Sequence, residues 1–250
     1  MPIARALVLV STLLFASPPG AAPSQAPAAQ APMTQQQINE EMLKELRQIR
    51  QLLERLTQPQ PPPQPTSAKI TDLSGYALGR PDAPLTMVEF TDLQCPFCRQ
   101  YAIATFPEIK KNWIDTGKLR YISHDFPLDS LHPQATAAAR AARCAGEQGK
   151  FWDMRFALVT HANQLTPAYI TETARDLKLD AQAFAACTAS TKFDAEIQAA
   201  IETAVRLGVS GTPTFVVGKT EPSSVEGPMV VGALPYAQFD AALTRMLAEK

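Results

Sequence analysis

The chain has 250 residues, 46% hydrophobic and 19% charged, with a net charge of −1. That balance carries no electrostatic footprint for nucleic acid or for an anionic membrane surface, and it fits an ordinary globular protein. Four cysteines are too few for a small disulfide-stapled scaffold, and 11 of the 22 prolines fall before residue 67 beside a single glycine, Gly20.

Residues 1–22 read as a secretory signal peptide. Arg5 supplies the positive charge, Ala6–Ala16 is a mostly apolar run, and small residues follow at Gly20, Ala21 and Ala22. The run is too short for a membrane-spanning helix, which needs about 20 residues. A cleaved signal makes the protein periplasmic or otherwise exported and puts its cysteines in an oxidising compartment. Residues 23–33 are rich in Ala, Pro, Gln and Ser and are expected to be a disordered lead.

Thr34 suits the N-cap of a helix over residues 34–57. Met42, Leu46, Ile49, Leu53 and Leu56 alternate spacings of four and three, a heptad seam that Asn39 continues as a polar position. Glu45 and Arg50 fall where an interhelical pair would form in a parallel coil. This amphipathic helix is expected to make a coiled coil and so a homo-oligomer; the alternative is that it packs on its own domain. Residues 58–69, which include Gln58–Ser67 (QPQPPPQPTS), form a proline-rich linker with polyproline II character.

The main domain is expected over residues 70–250. Thr86–Thr91 is a strand with Leu85 leading in. A helix runs from Cys98 to about Thr116, stopped by Gly117, and Leu119–Ser123 is a second strand. Helices are expected at Gln134–Ala145, Lys150–His161, Thr166–Leu177, Asp180–Ala189 and Phe193–Leu207, which makes residues 128–207 a helical insertion. Thr214–Val217 and Met229–Val231 are strands, and Pro235–Lys250 is a closing helix. The order predicts an α/β fold, a mixed sheet flanked by helices with an inserted all-helical subdomain.

Cys95-Pro96-Phe97-Cys98 sits where a strand hands over to a helix. The first helical turn offers unpaired N–H groups and partial positive charge, so a thiolate at Cys95 is stabilised there and is a better leaving group. Cys98 lies one turn on, placed to close the ring or resolve a mixed disulfide. Pro96 pre-sets the helical φ. Half a zinc site is the first alternative, but Cys144 and Cys187 are not at knuckle spacing, and His124, His132 and His161 are too scattered for a metal set. A purely structural Cys95–Cys98 bond is the second, and so small a ring constrains little chain.

Leu85–Cys98 (LTMVEFTDLQCPFC) resembles the active-site region of the DsbA-like, thioredoxin-fold protein-disulfide oxidoreductases. Gly208–Phe215 (GVSGTPTF) resembles that family's cis-proline loop. His132-Pro133 with the Ala-rich helix after it, and Gly149–Trp152, resemble its inserted helical domain. The resemblance covers about residues 70–248 and implies a thioredoxin-like fold. It makes Cys95 the nucleophile, Cys98 the resolving cysteine and Pro213 the cis-proline facing them. Thr212 would add a hydroxyl near the sulfurs.

Glu89 falls where the family carries a buried acid beneath the cysteines, a position from which a carboxyl could relay the Cys98 proton. Phe97 stands where the more oxidising members carry His, so a less extreme potential is expected. Cys144 and Cys187 are expected to form a structural disulfide in the insertion, with two buried free thiols as the alternative.

The resemblance therefore implies an exported enzyme that forms disulfides in cysteine-containing secreted or periplasmic proteins. The cysteine pair is its redox centre, with no diffusible cofactor or metal, and a membrane redox partner recycles it. The heptad helix keeps open an oligomeric isomerase or reductase held in the reduced state. An oligomeric holdase with no redox role is a third reading.

Overall fold

The computed structural model describes residues 34–57 and 66–249. The expected signal peptide (1–22), the stretch 23–33 and residues 58–65 of the expected linker lie outside the described residues. The chain divides into two compact units, Met1–Pro61 and Pro62–Lys250.

In the first unit, helix α1 spans Gln35–Thr57. Thr34 caps it reciprocally: its Oγ1 accepts from the Gln37 amide at 3.3 Å, and its own amide donates to Gln37 Oε1 at 2.8 Å. Ile38, Met42, Leu43, Leu46 and Ile49 are all exposed along this helix. The side chains of Leu53 and Leu56, the end of the seam, lie outside the described residues.

The second unit is built on a six-stranded mixed sheet. Its strands are β1 (Ser67–Ile70), β2 (Tyr76–Leu78), β3 (Leu85–Thr91), β4 (Leu119–Asp125), β5 (Thr214–Lys219) and β6 (Val225–Val231). They lie in the order β1-β6-β5-β3-β4-β2. Only β3 and β4 are parallel, with Glu89 opposite Ser123; β5 runs antiparallel to β3, with Phe215 opposite Glu89.

Every residue of β3 is buried, because the sheet is covered on both faces. One face packs Met87, Tyr121 and Phe215 on Tyr101, Phe239 and Leu243. The other packs Val88, Phe90 and Val216 on Ala204 and Val209. A central strand of this kind reads as a near-continuous apolar run rather than as an alternation.

Several boundaries differ from the sequence reading: β6, expected over Met229–Val231, already starts at Val225. The ordered domain begins before residue 70, since β1 starts at Ser67, inside the stretch assigned to the linker. The helix expected from Cys98 to Thr116 is instead three pieces: α2 (Pro96–Ala104), α3 (Phe106–Ile109) and a π-helical turn at Lys110–Ile114. Pro107 brings no amide to continue the ladder, and the Thr105 hydroxyl ties this turn to the Leu234 carbonyl at 2.9 Å.

Five helices form the insertion between β4 and β5: α4 (Ala135–Gly146), α5 (Phe151–Thr160), α6 (Pro167–Asp176), α7 (Ala181–Thr188) and α8 (Asp194–Arg206). Thr166 and Asp180 cap α6 and α7 through side-chain oxygens that accept from Tyr169 and Ala183 amides. Gly208, at φ +77°, ends α8 in the left-handed conformation that glycine adopts freely. Cys144 on α4 is disulfide-bonded to Cys187 on α7, with their Cα atoms 5.8 Å apart. Helix α9 (Tyr236–Ala248) closes the domain.

Candidate active site

Cys95 occupies the N-cap of α2, immediately past the end of β3. The loop between them is tied down by Asp92. Its carbonyl accepts from the Cys95 amide at 3.1 Å, and Oδ1 accepts from the Gln94 amide at 2.7 Å. Its Oδ2 accepts from the Leu128 amide at 2.9 Å and pairs with His132 Nδ1 at 2.7 Å. The helix then starts cleanly, with Pro96 in its first turn and the Arg99 amide donating to the Cys95 carbonyl at 3.0 Å.

The two thiols stand in opposite electrostatic positions. Cys95 is held down to about 5, chiefly because the Cys98 thiol donates to its sulfur, against the cost of burial. The Thr212 side chain and the backbone amides of Cys98 and Phe97 add to that stabilisation. Cys98 is pushed well above the ordinary thiol range, first by burial and then by Cys95 and the charge of Glu89. One sulfur is thus a ready thiolate and its neighbour a reluctant one.

The Thr212–Pro213 peptide bond is cis. The Thr212 carbonyl lies against Cys95, whose Sγ donates to it at 3.4 Å. The Thr212 hydroxyl is buried with no hydrogen-bond partner, and the Thr212 side chain favours the Cys95 thiolate. Phe97, 61% exposed, projects from the first turn of α2. A cleft of about 360 Å³ beside it is lined by Gln94, Pro96, Arg99, Leu131 and His132. A wider groove of about 910 Å³ lies among α4, α6 and α7, lined by residues such as Ala137, Ile170 and Phe184, and contains neither cysteine.

Glu89 is fully buried in β3. Its Oε2 accepts from the Tyr121 hydroxyl at 2.6 Å and from Arg155 Nη2, while its Oε1 is buried with no partner. Arg155 comes from α5, is itself buried, donates from Nε to Ser123 Oγ at 3.1 Å and lies 5.5 Å from the Trp152 ring centre. Sequence reasoning placed Glu89 but did not single out Arg155. The available signal was an arginine within the run Phe151–Val159 (FWDMRFALV), which is otherwise apolar except for Asp153.

Cys95, Cys98, Pro96, Phe97, Thr212, Pro213 and Glu89 therefore converge at one end of the sheet, whereas Cys144 and Cys187 stay apart in the insertion. Among the described residues no group of His, Cys, Asp and Glu is arranged to hold a metal ion. His124 Nε2 is hydrogen-bonded to the Ser74 carbonyl at 2.7 Å, and His132 is engaged by Asp92.

The family model described as Thioredoxin matches residues 71–230. The chain is similar to DsbA proteins of known structure. It matches alpha-DsbA1 of Wolbachia pipientis with 26% identity and a TM-score of 0.62, over 68% of this chain and 89% of that one. A thioredoxin-like oxidoreductase from Silicibacter pomeroyi matches at 27% identity and TM-score 0.56, over 70% and 93%. BdbD of Bacillus subtilis, at 21% identity and TM-score 0.60, covers 69% and 92% and supports the fold alone.

Among curated proteins, the Na(+)/H(+) antiporter NhaA 3 of Salinispora tropica is 36% identical over 166 residues, 66% of this chain. The chain spans only 24% of that relative's length, so the antiporter name describes a much longer protein. Among the described residues no helix of this chain is long and apolar enough to cross a membrane.

Proposed function

The chain belongs to the thioredoxin family, on its DsbA-like branch, and from that premise we propose that it is an exported enzyme that forms disulfides in secreted or periplasmic proteins. The observation that carries this reading is the split between the two thiols, with Cys95 held down to about 5 and Cys98 held well above the ordinary range. A stable Cys95 thiolate stabilises the reduced enzyme, and a dithiol with a stable reduced form is an oxidant.

In the forward reaction a substrate thiolate attacks the Cys95 sulfur of the oxidised pair. The Cys95–Cys98 bond breaks, and Cys98 leaves with the electron pair and takes up a proton. A second substrate thiolate attacks the substrate sulfur of the mixed disulfide and expels Cys95 as its thiolate. The substrate has lost two electrons and gained a disulfide; the enzyme pair is reduced. The pair needs no diffusible cofactor or metal, and a membrane redox partner returns it to the disulfide.

Export is supported by Arg5 and the apolar run after it, and by the Cys144–Cys187 bond, which belongs in an oxidising compartment. The exposed stripe from Ile38 to Ile49 on α1 favours one further reading, an oligomeric isomerase kept reduced, with several sites around one misfolded substrate. Trapping thiols in intact cells tests the direction: an oxidised Cys95–Cys98 pair supports the oxidase, and a reduced pair supports the isomerase. Reactivation of scrambled ribonuclease with and without residues 1–67 tests the role of α1. Equal activity, with both forms monomeric by light scattering, overturns the oligomeric reading.

A further inference from the structure

We propose that Arg155 is a positioning residue of the redox centre, which holds the Glu89 carboxyl by one oxygen and leaves the second open to take the proton of Cys98. The inference deepens the oxidoreductase reading and rests on it.

A carboxyl group buried as Glu89 is needs hydrogen-bonding partners. Here a guanidinium from the helical insertion faces it. Arg155 Nη2 holds Oε2, Nε is anchored on Ser123 Oγ at 3.1 Å, and the Trp152 ring lies 5.5 Å from the guanidinium carbon. Tyr121 donates a second bond to the same Oε2 at 2.6 Å. Two donors thus converge on one oxygen, while Oε1 is buried and unpartnered. The Tyr101 hydroxyl is likewise buried without a partner, and a buried acceptor left open in such a site is a place for a proton or a water.

The titratable groups facing Glu89 are Arg155 from α5, Tyr121 from β4, and Cys98 and Tyr101 from α2. Of these, Cys98 is the one whose chemistry requires it to lose a proton. When Cys98 resolves a mixed disulfide, its proton passes to Oε1, directly or across one water. Its sulfur bonds to Cys95, and the Cys95–substrate bond breaks with the electron pair leaving on the substrate thiolate.

Reduced protein treated with dithiobis-nitrobenzoate provides the test. The first coloured thiol marks attack by Cys95, and the second marks resolution by Cys98. We expect the second release in R155M to be slowed at least about tenfold near neutral pH and to recover as pH rises, because an unpaired buried Glu89 takes up a proton. The charge-retaining R155K should stay within about threefold of the wild type. The paired neutral variant E89Q/R155M leaves no buried charge that would compromise folding. It should be as slow as E89Q and lack the rise with pH that the carboxylate confers.

A wild-type pH profile for the second release in R155M would overturn the role of Arg155 alone, and one in E89Q/R155M would overturn Glu89 as the proton acceptor as well. A wild-type protein that releases only one coloured thiol would overturn the redox reading and this inference with it.

Discussion

The thiol of Cys95 donates to the carbonyl oxygen of Thr212 at 3.4 Å, across 117 residues of sequence. The same residue holds a buried hydroxyl with no partner in the neutral site. The carbonyl suits the thiol and the hydroxyl suits the thiolate, so Thr212 serves both charge states of the sulfur.

Removing only the hydroxyl separates the two roles. In T212V the Cys95 thiol is expected to titrate roughly one pH unit higher than the wild type, measured as the ultraviolet absorbance of the thiolate. An unchanged midpoint would assign the effect to the backbone alone.

The lowered pKa of Cys95 carries a sign for stability. Its folded value lies below its unfolded one, so the stabilisation is fully present above the unfolded thiol range and is lost as pH falls toward about 5. The reduced protein is therefore expected to gain stability over C95S as pH rises through that window. Urea unfolding of both at acidic and mildly alkaline pH checks this, and an equal difference at both would contradict it.

Phe97 projects from the first helical turn and brings no charge to the thiolate. The wild type is expected to be less oxidising than about −120 mV, and F97H to be more oxidising than the wild type. Redox titration against glutathione measures both. A wild-type value at that limit, or no difference between the two, would contradict the role given to Phe97.

The site was legible in the sequence where chemistry and local geometry coincide. Cys95 and Pro96 announce a helix start after an apolar strand, and Thr166 and Asp180 announce theirs by capping. The edge strands β1 and β2 were not legible: four and three residues long, they have no apolar run and owe their existence to partners far along the chain. Arg155 was missed for a related reason. An arginine on an apolar helix face looks like a surface residue until the fold sets it against Glu89, 66 positions away.

The Cys144–Cys187 bond closes 43 residues within the insertion, worth about 4 kcal/mol by loop-closure entropy. C144A/C187A is expected to unfold at lower urea by roughly that free energy, while its folded fraction keeps the exchange rate of Cys95. A parallel loss of rate in the folded protein would tie the bond to the active site.

The most direct measurement of the central claim is covalent capture of substrates. In C98S the resolving thiol is gone, so Cys95 should remain joined to exported proteins as mixed disulfides that a reductant releases, and C95S should capture none. Failure of C98S to capture any protein, or equal capture by C95S, would contradict the assignment of Cys95 as the sulfur that exchanges with substrate.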